Sequence, residues 1–112
     1  MELPELVPIE YRGELVALVS RDRVHLVCPR MRTLQAGDPE LRFVAYMCAY
    51  CGEVLNRRLP GPPTSELAEE WARAALIAPP ELIALSACSD AEAAEALNVP
   101  LEQVRVARYA AA

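Results

Sequence analysis

The sequence predicts an α+β domain: an N-terminal β-hairpin or small antiparallel sheet packed on a helical bundle with a central buried helix. Three observations carry the prediction. Two short β-prone runs, ELVALVS at 14–20 and RVHLVC at 23–28, stand ahead of any helical pattern. The segment 39–58 is apolar all round over 43–51, as a helix enclosed on every side should be. After the LPGPP break, apolar residues recur at helical spacing and the chain is punctuated mainly by prolines.

The elements follow in order. VPIEY, at 7–11, reads as an added edge strand, because Pro8 lacks the N–H that a central strand needs. The two β-prone runs are separated by Arg21 and Asp22 and form a hairpin over 14–28. PRMRTLQAGDP, with Gly37 and Pro39, reads as a loop. Asp38 then offers an N-cap oxygen, Pro39 suits a first turn, and the Glu40 carboxylate faces the helix dipole. The central helix therefore begins at 39 and runs to 58, where Arg57 and Arg58 favour a C-terminal end and PGPP stops it. A second helix spans 64–78 from an N-cap at Thr64 or Ser65, with Leu67, Trp71, Ala74 and Ala78 on its inward face. A short helix covers 80–87. A terminal helical pair covers 90–111: Ser89 or Asp90 caps its first member, NVP breaks the chain, and Pro100 opens the second.

The chain has 112 residues, enough for one domain with one modest core. Hydrophobic residues make up 54% and charged residues 24%, a balance that folds. The net charge of -5 argues against a general nucleic-acid surface. The terminal pair has helix-turn-helix spacing, but its last helix offers only Arg105 and Arg108 as cations, so direct nucleic-acid binding is not expected. The opening MELPELVPIE has no cationic start followed by an apolar run, and no run is long enough to span a bilayer, which predicts a cytoplasmic chain without a membrane anchor. The apolar surplus leaves hydrophobic surface to be covered by a partner or a second copy in a homo-oligomer.

Chemistry centres on the CxxC pair Cys48 and Cys51 in the central helix. Together with His25 and Cys28 it gives the ligand count and spacing of a Cys3His zinc ribbon, and zinc would then contribute folding energy. Against that, a ribbon knuckle is a tight turn, whereas Cys48 and Cys51 lie among helix formers. His25 and Cys28, at odd spacing on a strand, also point to opposite faces. A redox pair needs its first cysteine at a helix N-terminus, and this one lies more than two turns inside. The bland reading makes the thiols small hydrophobes, His25 an ordinary strand residue and Glu66 a first-turn acid complementing the helix dipole.

The order of elements resembles the ImmA/IrrE family of small zinc metallopeptidase-like domains. EEWARAALIAPPELI, at 69–83, is similar to the family's alanine-rich helix running into an apolar-proline-glutamate-leucine turn; AEAAEALNVPLEQVRVAR, at 91–108, is similar to its terminal helices; PELRFVAYM resembles the entry to its active-site helix. The likeness implies a minimal zincin-like fold. In that family HExxH lies on the central helix, its histidines binding zinc and its glutamate activating water. Aligned through Phe43, Met47 takes the first histidine position, Cys48 the glutamate position and Cys51 the second histidine position, while Glu66 looks like the third ligand. A thiol cannot replace the glutamate as general base, so the resemblance implies the fold and argues against the activity. The expected function is a non-catalytic binding or regulatory module without a cofactor, recognising a protein such as a helix-turn-helix regulator. The alternatives are a small structural zinc domain using His25, Cys28, Cys48 and Cys51, and a peptidase with an atypical centre.

Overall fold

A three-stranded antiparallel sheet precedes six helices in the computed structural model, which describes residues 5–111. Strands β1 (Val7–Tyr11), β2 (Glu14–Val19) and β3 (Val24–Leu26) lie side by side in chain order. The fold class read from the sequence is the one observed. Between β1 and β2 the chain turns through Arg12 and Gly13, both left-handed at φ 54° and 76°, the backbone that a two-residue hairpin matched to strand twist requires. The pairing passes from Ile9↔Ala17 to Glu10↔Leu15, so Val16 is an extra residue bulged from β2. This lets the sequence neighbours Val16 and Ala17 both be fully buried.

The stretch after β3 differs from the expected loop. It opens with a single helical turn, α1 (Pro29–Arg32), where Pro29 pre-sets the first φ and Met31 reaches the core at 1% exposure. The central helix α2 (Pro39–Leu55) begins as expected: the Asp38 side chain accepts the Glu40 N–H at 2.9 Å. It stops at Leu55 rather than 58, because Arg57 turns left-handed at φ 61° just beyond the Asn56 cap. Phe43, Val44, Met47, Cys48, Tyr50, Cys51 and Leu55 are buried, while Ala45 and Ala49 face solvent. The apolar circumference therefore has one exposed strip, made of its smallest side chains.

Helix α3 (Ser65–Leu76) is capped by Thr64, whose hydroxyl accepts the Leu67 N–H at 3.3 Å. Its buried stripe is Ala68, Ala72 and Leu76, rotated by one residue from the expected face; Leu67 and Trp71 flank it and Ala74 is exposed. Small side chains let α3 lie close against α2, and Trp71 stacks at a tilt beside Tyr46 and Tyr50, 6.2 and 6.0 Å between ring centres. Helix α4 (Pro79–Ala84) follows, then α5 (Asp90–Leu97) and α6 (Leu101–Ala111). Ser89 and Glu92 form a reciprocal capping box at the start of α5, and Asn98 ends it in the left-handed region at φ 53°. Arg42 joins this pair to α2 by donating to the Leu97 and Asn98 carbonyls at 2.8 and 3.0 Å. Among the described residues, no helix is long and apolar enough to cross a membrane.

Candidate functional site

The side chains singled out on α2 belong to its buried face. Met47 and Cys51 are 0% exposed and Cys48 is 2% exposed, with both thiols free. Burial, with Cys51 close by, pushes the Cys48 thiol up to about 12, and burial alone pushes Cys51 up to about 11. Both sulfurs stay protonated and neutral at ordinary pH. A thiol held protonated is a poor nucleophile. Cys48 forms part of the floor of a cleft of about 320 Å³ between the β2–β3 turn and the C-terminal half of α2, where Arg21, Asp22, Arg23, Glu53, Asn56 and Arg58 supply the polar groups. Asn56 fastens that cleft by donating to the Arg21 carbonyl at 2.9 Å.

Glu66 is exposed on the first turn of α3. Of the four positions that resemble a peptidase centre, three thus lie inside the core and one lies at the surface. Their donor chemistry does not fit a hydrolytic zinc: Met47 offers only a thioether, Cys48 offers no carboxylate base, and Cys51 is a single thiol enclosed in the core. His25 is exposed on β3 opposite Leu18, whereas Cys28 is buried at the entry to α1. Among the described residues, no three His, Cys, Asp or Glu side chains come together as metal ligands, and His25, Cys28, Cys48 and Cys51 are not assembled.

Two polar clusters escape the sequence reading. Arg30 donates to Glu40 at 2.6 Å and to Glu14 at 3.0 Å, beside Tyr11 and Arg12 in a cleft of about 310 Å³. Arg30 first, then the Cys28 thiol, hold the Glu14 carboxyl below its usual range. These side chains join β2, α1 and α2 from separate parts of the chain, and no local pattern announces them. The second cluster lies under the helical pair. Gln103, 1% exposed, donates to the Tyr11 hydroxyl at 3.4 Å and accepts from Arg73 at 2.9 Å. Burial is the main cause of the raised Tyr11 pKa. With all its members paired, this cluster is a fastening between β1, α3 and α6.

Comparison with known protein families, with curated proteins and with solved structures finds no match.

Proposed function

We propose that the chain is a non-catalytic binding module on an ImmA/IrrE-like fold that recognises a protein partner, a helix-turn-helix regulator being the type that the resemblance suggests. One observation carries this reading. The positions that would hold the two histidines and the glutamate of HExxH are Met47, Cys51 and Cys48: the first two are fully enclosed in the core, and Cys48, 2% exposed, reaches only the floor of the cleft beside the β2–β3 turn. Hydrolysis needs a metal-bound water open to substrate and a base beside it. A thioether and two core thiols, with no carboxylate beside them, supply neither. The supporting argument is one of packing: Met47 and the two cysteines fill their places as apolar side chains do.

The test measures metal, melting and cleavage on the same preparation. Zinc content well below one per chain, a melting temperature insensitive to chelator and no cleavage of casein with added zinc are expected. One tightly held zinc per chain with chelator-sensitive melting, or zinc-dependent cleavage, would overturn the reading. Affinity capture from the source cell, followed by reconstitution with the purified captured regulator, tests the partner.

A further inference from the structure

The two edges of the sheet are unlike. On β1, Pro8 has no N–H to offer, and the Ser65 hydroxyl accepts the Glu10 N–H at 2.8 Å while donating to the Pro8 carbonyl at 3.3 Å. That edge is closed by the start of α3. On the inner side of β3, the Ser20 N–H donates to the Arg23 carbonyl at 2.9 Å and the Val27 N–H to the Val16 carbonyl at 3.1 Å, with His25 opposite Leu18 between them. Antiparallel bonding alternates along a strand, so Arg23, His25 and Val27 direct their backbone groups to β2. Val24 and Leu26 direct theirs away from it, toward an open groove of about 730 Å³ lined by Val24, His25, Leu26, Val27 and Arg32.

Charge decides what suits this edge. The chain carries a net charge of -5, yet among the described residues the groove lining includes no carboxylate. Arg32 makes no ion pair among the described residues, and Arg23, just before the strand, meets only Asp22 at 4.0 Å with both side chains well exposed. A second copy would add its own Arg23 and Arg32 to an edge that already carries both and would supply no carboxylate from its matching groove lining among the described residues. Val24 is 52% exposed and Val27 37% exposed, so aliphatic contact is on offer beside the cations.

We propose that the open edge of β3 takes an extended acidic segment of a protein partner as a fourth strand. The segment pairs its backbone with Val24 and Leu26, sets aliphatic side chains beside them and places carboxylates toward Arg23 and Arg32. This rests on the binding-module reading and gives the partner its chemistry.

Two blocked heptapeptides, one alternating valine with glutamate and the other valine with lysine, are titrated into the full chain while backbone amide NMR signals are followed. The expected result is saturable shifts centred on residues 24–27, with the glutamate peptide binding at least tenfold more tightly. Reversing both cations, Arg23→Glu with Arg32→Glu, should invert that preference; both side chains are exposed, so the fold should persist. Equal binding of the two peptides, no shift at millimolar peptide, or shifts centred elsewhere would overturn the proposal. So would sedimentation showing that the chain dimerises through this edge without peptide. Any of these outcomes leaves the binding-module reading to its own metal and cleavage assays, so the two can fail separately.

Discussion

Replacing Cys48 and Cys51 together by alanine separates a packed core from a metal-held one by the size of the effect. Each substitution removes one buried sulfur and leaves a void near the size of a methyl group. Deleting a buried group of that size costs roughly 1 kcal/mol, so the pair should cost about 2 kcal/mol. For a domain of this length that corresponds to a fall in Tm of roughly 5–10 °C. Structural zinc in small domains contributes on the order of 10 kcal/mol, comparable with the whole stability of a typical domain. If these thiols held a metal, the double variant would have no cooperative unfolding transition. Urea denaturation followed by circular dichroism, with and without chelator, measures the difference. A two-state transition displaced by about 2 kcal/mol and blind to chelator is expected; a chain already unfolded in buffer would refute the packing argument.

Reinstalling the motif, Met47→His with Cys48→Glu and Cys51→His, puts three polar side chains where exposure is 0–2%, so a loss of roughly 3 kcal/mol or more and no casein cleavage are expected. Zinc-dependent cleavage by that variant would show that this face opens as an active site does. The alkaline limb of stability should also report the thiols: unfolded cysteines ionise near 9, whereas the folded ones are pushed up to about 12 and 11. Their contribution is whole below pH 9 and is lost as pH rises through the folded values, by about 2–3 kcal/mol at pH 10. The double alanine variant should have a flatter curve between pH 8.5 and pH 10 in the same denaturation experiment. Gln103→Leu strips a partner from both Tyr11 and Arg73 and should cost about 2 kcal/mol, part of which Tyr11→Phe in the same chain should recover.

The helix starts were legible because capping acts within three residues of itself. Asp38 with Pro39, Thr64 and Ser89 each sit where their oxygens meet a nearby N–H, and the structure uses all three. The strands were legible from β-branched runs and from Pro8, whose missing donor marks an edge. The inward face of α3 was not, since alanines carry little hydrophobic signal and their burial follows from how closely α2 approaches. The end of α2 depends on Arg57 adopting a conformation that arginine seldom takes, and the turn at α1 depends on where Met31 finds the core. On the candidate site, the apolar run already marked Met47, Cys48 and Cys51 as core residues. The bridge from Arg30 to Glu14 and Glu40 joins side chains 16 and 10 positions apart, at a distance set only by tertiary packing.

The sheet edges show how local chemistry and register divide this work. Pro8 removes one donor from β1, but closure of that edge needs Ser65, which the start of α3 brings from 55 and 57 positions along the chain to satisfy the Glu10 N–H and the Pro8 carbonyl. Among the described residues, no side chain closes the outer edge of β3 in this way. Which of its residues face outward is fixed by the register of Leu18 against His25, and that register is set by the turn at Arg21 and Asp22. A one-residue slip there would turn Arg23, His25 and Val27 to the open side and send Val24 and Leu26 inward. The exposed backbone pair, and the arginines that flank it, are therefore products of turn geometry acting on a three-residue strand. An inserted glycine between Arg21 and Asp22 should loosen that register and abolish acidic-peptide binding while leaving the α2–α3 core, and most of the stability, in place.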